Sequence, residues 1–247
     1  VEPLSVLIPT LDEEANLPEC LAGCAFADEI VVVDSGSSDA TEAIARAAGA
    51  RFLAHPFESH ARQKNWGLER VSHAWVLILD ADERVPPDLA EEIRAVLGDG
   101  GRAAGYWIRR RSTFLGREIR GCGWQHDRVL RLFDRRRGRY EDRRVHEEVR
   151  VDGEVRELRA RLRHRSCRDL SQWIAKTERY ARLGAEELRA RGARAAWWDL
   201  ALRPPARFLK QYVLQGGFRD GVEGLILCGV SAFGVLAKYA HLRSGAP

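Results

Sequence analysis

The sequence predicts an α/β fold with a mixed, mainly parallel sheet flanked by helices and a helical C-terminal extension, and three observations lead there. The first hundred residues alternate short apolar runs with amphipathic stretches, as strand–helix–strand units do. Those runs are continuous rather than alternating, which suits strands covered on both faces. One of them, Trp75-Val76-Leu77-Ile78-Leu79, ends in Asp80-Ala81-Asp82. Two carboxylates one residue apart would then leave the carboxyl end of a strand, the edge at which open α/β sheets bind ligands.

Taken in order, Leu4–Ile8, Glu29–Val33, Arg51–Ala54 and Trp75–Leu79 read as strands. Between them, residues 13–23 place Leu17, Cys20 and Leu21 at helical spacing. Residues 39–48 open with Asp39 as an expected N-cap and Glu42 three residues on, and residues 60–71 form a third helix. From Gly105 the texture turns arginine-rich with aromatic and β-branched residues. Gly105–Ile108 and Val129–Phe133 are expected as antiparallel or mixed strands at the sheet edge. Residues 169–191 form an amphipathic helix ending near Gly192, and Pro204-Pro205 is expected to interrupt the chain beyond it. The run Gly224–Ala237 holds fourteen residues without a charge, short of the roughly 20 needed to span a bilayer. It reads equally as a core helix or as an element lying in a membrane interface.

The net charge of +4 conceals a gradient. Residues 1–100 balance at −12, residues 101–168 at +11 and residues 169–247 at +5, so an anionic partner is expected to meet the later segments. These segments are the expected divisions of the chain, the third a helical region touching a membrane surface. Five scattered cysteines without a C-x-x-C pair read as free thiols in a reducing compartment, and no secretory signal pattern is evident. The acidic first third and the lack of a nucleic-acid module predict no nucleic-acid partner.

Several loops concentrate polar groups at strand ends. Pro9-Thr10 with Asp12, Glu13 and Glu14 follows the first strand, and Asp34-Ser35-Gly36-Ser37-Ser38-Asp39 follows the second. A small, hydroxyl-rich loop with a carboxylate suits a nucleoside, yet neither G-x-G-x-x-G nor a P-loop is present. Asp80 and Asp82 together suit a hard divalent cation bridging a diphosphate, although Asp82 or Glu83 also suits a simple helix start before Pro86 and Pro87. A second cluster, Tyr140 to Glu148, mixes Asp142, Arg143, Arg144, His146 and Glu147.

The stretches "SVLIPTLDEEANL", "EIVVVDSGSSDAT", "RQKNWGLE" and "WVLILDADE" together resemble the successive motifs of family 2 glycosyltransferases of the GT-A (nucleotide-diphospho-sugar transferase) fold. Further on, "GWQHDRVLRLF", "RRVHEEV" and "WIAKTERYARLGA" resemble the branch that includes bacterial lipopolysaccharide inner-core β-1,4-glucosyltransferases.

The resemblance implies roles, with residues 1–100 as the nucleotide-sugar-binding half and residues 101–168 as the acceptor-binding and catalytic half. Pro9, Thr10, Glu14, Asp34 and Ser35 would line the nucleoside pocket, Arg62 and Lys64 would approach the diphosphate, and Asp80 and Ala81 would lie along the nucleotide sugar. Asp82, with Asp80 and His146, would hold Mg²⁺ or Mn²⁺. Glu147 would be the base that takes the acceptor hydroxyl proton, with Asp127 and Asp142 as competitors. Trp124, His126 and Arg144 would meet the acceptor. The implied reaction is inverting transfer of a hexose, glucose from UDP-glucose foremost, to an inner-core heptose of lipopolysaccharide at the inner face of the cytoplasmic membrane. The alternatives are a polyprenyl phosphate or another polysaccharide as acceptor, or a silent nucleotide-sugar-binding protein.

Overall fold

The computed structural model describes residues 1–100, 102–141, 148–167 and 169–245. The chain divides into two compact units, Val1–Arg110 with Arg128–His164 and Arg111–Asp127 with Arg165–Pro247, so the expected middle segment 101–168 is shared between them.

In the first unit β1 (Leu4–Thr10), α1 (Leu17–Ala22), β2 (Glu29–Asp34), α2 (Thr41–Ala47), β3 (Arg51–Ala54), α3 (His60–Leu68) and β4 (Trp75–Ile78) follow the alternation read from the sequence. Strand β1 lies between β2 and β4 and parallel to both, with β3 parallel beyond β2. The side chains of Val6 and Ile8 point to one face, among α1, α2 and α4 residues, and Leu7 points to the other, toward α3. That two-sided burial is why the runs show no polar alternation. Register then sets the site: Thr10 stands opposite Asp34, and Leu79 donates its N–H to the Leu7 carbonyl at 3.0 Å, so Asp80 leaves the same sheet edge.

After β4 the short β5 (Glu83–Arg84) leads into α4 (Pro87–Gly98), which is preceded by Pro86 at its N-cap and buries Leu89, Ile93 and Leu97. Strands β6 (Gly105–Phe114), β7 (Arg117–Glu118), β8 (Arg128–Asp134), β9 (Gly138–Glu141), β10 (Glu148–Val151) and β11 (Val155–Cys167) complete the sheets. Strand β8 runs antiparallel to β4, with Leu132 opposite Leu77. Strand β6 follows β8, and β5 runs antiparallel to β11, with His164 opposite Glu83. Strands β9 and β10 form a separate hairpin; Asp142, Arg144, His146 and Glu147 lie outside the described residues.

Glycine at position 67 governs how α3 lies on the sheet. A Cβ there would stand 2.7 Å from Leu7 Cδ1 and 3.1 Å from Val33 Cγ2, so a larger residue would force these side chains aside at this close approach. Ser59 caps α3 by accepting the Arg62 N–H at 3.2 Å. Helix α2 differs from expectation at its start. Its N-cap is Ala40, and Asp39 instead forms a tight turn by accepting the Thr41 N–H at 3.0 Å, while Glu42 pairs with Arg46 rather than closing a capping box.

The second unit holds α5 (Leu170–Ala190), α6 (Trp197–Leu209) and α7 (Gly221–Ser244). Asp169 caps α5 as a side-chain acceptor for Ser171 N–H. Pro204 and Pro205 do not interrupt α6, which runs through both and widens into a π-turn over Lys210–Leu214. Helix α7 extends beyond the charge-free run at both ends, so Gly217–Ser244 is long and apolar enough, by length and composition, to cross a bilayer. The unit's core joins Phe114, Ile119 and Cys122 to Leu227 and Cys228 of α7. All five cysteines are free thiols.

Candidate active site

Two loops at the parallel end of the sheet are stitched into one surface. The Asp34 carboxylate accepts the Thr10 hydroxyl at 2.9 Å, the Gly36 N–H at 2.9 Å and the Ser37 N–H at 2.8 Å, and the Ser37 hydroxyl as well. Ser35 accepts from the Gln63 amide, which also reaches the Val33 carbonyl at 3.0 Å. The first loop answers in kind: Asp12 N–H donates to Ser37, Glu13 N–H to Thr41 and Glu14 N–H to Asp39, and the exposed Glu14 carboxylate accepts the Ala40 N–H at 3.1 Å. Asp12 has a φ of 53° and accepts the Ser38 N–H at 2.8 Å, a backbone conformation that Asp and Asn tolerate better than other side chains. The Thr10 and Asp34 side chains are thus fixed before any ligand arrives.

Beside these loops stands a dense charge network. The buried Lys64 Nζ lies 3.3 Å from Asp80 Oδ1 and 5.2 Å from the Tyr140 ring centre. Arg131, from the interior of β8, pairs with Asp80 and donates to Glu83 Oε1 at 3.0 Å. Glu83 is fully buried, accepts the Asp80 N–H at 3.0 Å and pairs with Arg110 at 3.3 Å. Burial by itself would raise the Asp80 pKa, but Arg131 and then Lys64 overcome it and hold the carboxyl far below the usual carboxylate range. Arg131 has the mirror situation: burial opposes its charge, and Asp80 and Glu83 hold its pKa above the ordinary arginine value.

Asp82 is engaged differently. His164 Nε2 lies 3.3 Å from its Oδ2, brought there by the β5–β11 register, while Oδ1 is buried with no hydrogen-bond partner among the described residues. A buried carboxylate oxygen left unpaired costs free energy unless something binds it. An imidazole nitrogen beside that carboxylate is a donor set suited to Mn²⁺ and compatible with Mg²⁺, so these two residues fit the implied divalent cation. Among the described residues no three His, Cys, Asp or Glu side chains form a closed cage. An ion completed by phosphate oxygens and water needs none.

The other expected residues fall elsewhere. Arg62 is exposed and pairs with Glu58 at 2.7 Å. Pro9 and Ala81 flank the strand ends, with Ala81 buried. Trp124, His126 and Asp127 belong to the second unit, where Trp124 packs edge-on against Phe114 and Trp173 at centroid distances of 6.4 and 5.9 Å, and His126 is exposed. Sequence reading missed Arg131, Glu83 and His164. Arg131 left a signal, a single guanidinium within the apolar run Val129–Phe133, whereas His164 is hidden among alternating arginines and becomes meaningful only through long-range strand pairing.

A family model described as Glycosyl transferase family 2 matches residues 5–150. The chain belongs to this family. This glycosyltransferase shares 34% identity over 231 residues with the lipopolysaccharide core biosynthesis glycosyltransferase LpsC of Rhizobium meliloti (strain 1021), covering 91% of the chain and 86% of the relative. It shares 25% identity with an uncharacterized glycosyltransferase of Rickettsia typhi, over 97% and 86% of the two chains. Among solved structures, glucosyl-3-phosphoglycerate synthase from Mycobacterium tuberculosis, in complex with Mn²⁺, UDP and glucosyl-3-phosphoglycerate, aligns with a TM-score of 0.37 and 24% identity over 45% of this chain and 44% of that one. S. aureus TarS in complex with UDP aligns at 0.38 with 23% identity, over 45% and 36%. The glycosyltransferase spans less than half the length of these solved structures. Its fold is GT-A: parallel strands β3-β2-β1-β4 present the two polar loops, and the Asp80-Ala81-Asp82 run marks the passage to the antiparallel half.

Proposed function

We propose that this glycosyltransferase moves a hexose, glucose from UDP-glucose foremost, with inversion to a heptose of the lipopolysaccharide inner core. The observation that carries the chemistry is the buried Oδ1 of Asp82, beside His164 and without a hydrogen-bond partner among the described residues. The acceptor class is supported by the likeness to LpsC, a lipopolysaccharide core biosynthesis glycosyltransferase. Asp82 and His164 would hold Mg²⁺ or Mn²⁺, which supplies charge stabilisation to the departing diphosphate. Thr10 and the Asp34 loop, with Ser35 and Glu14 at its rim, receive the nucleoside. Asp80 stays ionised under Arg131 and Lys64 and accepts hydrogen bonds from the donor's ribose hydroxyls.

In the transfer the acceptor hydroxyl oxygen bonds to the anomeric carbon, the bond from that carbon to the UDP oxygen breaks with its electron pair on UDP, and the hydroxyl proton passes to a carboxylate. Glu147 is the proposed base, with Asp127 and Asp142 as competitors; Trp124, His126 and Arg144 are proposed to meet the acceptor. The test is UDP release from a panel of UDP-sugars, with and without Mn²⁺, with a heptose-bearing core acceptor. Product formation with one donor that is lost in Asp82→Ala supports the reading. Transfer to a polyprenyl phosphate but not to the core acceptor overturns the acceptor assignment, and full turnover in Glu147→Gln removes Glu147 as the base.

A further inference from the structure

Helix α6 turns Phe208 and Pro204 toward the unit's interior but carries other apolar side chains outward. Trp198, Leu202, Leu209 and the following Val213 recur at helical spacing and are all exposed, whereas Asp199 and Gln211 on the same stretch are buried. A helix folded against water alone does the reverse. The inversion is internally satisfied, because Asp199 accepts the Ala196 N–H at 2.9 Å and Arg203 Nε at 2.6 Å. Leu214, 82% exposed, and Phe218 extend the apolar surface toward α7. There the outward positions Val222, Leu225, Gly229, Phe233, Leu236 and Ala240 keep the 3.6-residue period without one polar side chain.

This surface also has a charge. The stretch 200–219 holds Arg203, Arg207, Lys210 and Arg219 and no acidic residue. Along α6 and its C-cap, Arg203, Arg207 and Lys210 fall on one flank of the apolar stripe, the arrangement of a helix lying in a lipid interface. Trp197 and Trp198, both more than half exposed, are the side chains that favour the headgroup level. A second copy of this chain is a poorer cover, since an antiparallel two-fold contact of this stripe would bring the same basic flank against itself. Although α7 is long enough to span a bilayer, its partner α5 argues that it lies flat. His241 of α7 meets Glu178 of α5 at 3.1 Å, Arg189 donates to the His241 carbonyl at 2.8 Å, and α5 exposes Arg179, Arg182 and Glu186. Charges of this density beside α7 are costly within hydrocarbon.

We propose that α6, the turn after it and the outward face of α7 dock on an anionic phospholipid bilayer, with Arg207, Lys210 and Arg219 at the lipid phosphates. The inference is independent of the donor and acceptor assigned above. The test is co-sedimentation of the full chain with vesicles of phosphatidylglycerol and phosphatidylethanolamine, against phosphatidylcholine vesicles, over a salt series. The expected result is binding to the anionic vesicles that weakens with salt and is largely absent from the neutral ones. Leu202→Glu with Leu209→Glu should abolish it while circular dichroism and UDP-sugar hydrolysis stay unchanged. Arg207→Gln, Lys210→Gln and Arg219→Gln together should weaken it on the order of a hundredfold at low salt. Three outcomes overturn the proposal: no sedimentation of wild type with anionic vesicles, binding undiminished in the Leu202/Leu209 variant, or a stable dimer that this variant dissociates without any lipid binding. Retention in native membranes after an alkaline carbonate wash would overturn the flat orientation in favour of a spanning helix.

Discussion

Lys64 Nζ stands 3.3 Å from Asp80 Oδ1, with the lysine 3% exposed and the aspartate 38% exposed. The pair is therefore one-sided: a cation held inside the fold meets a carboxylate that still reaches solvent. Arg131 approaches the same carboxylate from β8, so two basic groups fix one acid at the sheet edge. Such an arrangement keeps Asp80 ionised and in place, as its proposed contact with a ribose hydroxyl requires.

Replacing Lys64 with Met keeps the volume of the stem and removes the charge. The expected cost is about 1–2 kcal/mol, below the roughly 3–5 kcal/mol of a fully buried broken pair, because Asp80 is partly solvated and keeps Arg131. Urea denaturation measures it; a loss above about 4 kcal/mol would mean that Lys64 is chiefly a core element.

Acid should erase the contribution of Asp80. Its folded pKa lies below its unfolded value, so the stability it confers is complete above about pH 4 and is lost as the pH falls below that. Asp80→Asn should consequently differ from wild type most at pH 7 and least near pH 3 in urea midpoints. A constant difference across that range would contradict the linkage.

His164→Ala is expected to weaken Mn²⁺ binding in the presence of UDP by about 10–100-fold, and Asp82→Asn by at least as much. Isothermal titration of the ion reads this without turnover. Unchanged affinity in His164→Ala would confine the histidine to holding Asp82 in place.

At Gly67 a methyl group would crowd the buried Leu7 methyls and Val33, so these side chains or α3 would have to shift. Gly67→Ala should cost about 1–3 kcal/mol in thermal or urea unfolding and weaken UDP-sugar binding through Lys64, which lies on the same helix. Full donor affinity together with the stability loss would separate the packing of α3 from the placement of Lys64.

Asp12→Asn should be near neutral, since both residue types accept a positive φ and the Ser38 N–H. Asp12→Ala should destabilise by about 1–2 kcal/mol. Equal melting temperatures for the two variants would show that the loop relaxes to another conformation.

The parallel half was legible because its central strands are buried on both faces: Val6, Leu7 and Ile8 form a continuous apolar run, and the polar loops follow immediately at positions 10 and 34. Asp80 and Asp82 were legible as a pair, but not their division of labour. One is locked to Lys64 and Arg131, and the other faces His164, because the partners come from α3, β8 and β11, elements remote in sequence. Pro204-Pro205 misled for a local reason: proline weakens a helix by removing a donor, yet Pro204 is buried in a helix that packing holds together. The charge-free run 224–237 misled through its bounds, since α7 adds Gly221 to Glu223 before it and Lys238 to Ser244 after it.

Strand β11 alternates exposed Arg159, Arg161 and Arg163 with inward Leu158, Leu162 and His164. A slip of one residue against β5 would bring a guanidinium to Asp82 in place of the imidazole, silencing the site by supplying a permanent counter-ion of its own. The same slip would turn Leu158 and Leu162 out into water, at a cost of about 1.5–3 kcal/mol each. Two leucines with no chemistry to perform thus pin the strand register that brings the imidazole to Asp82.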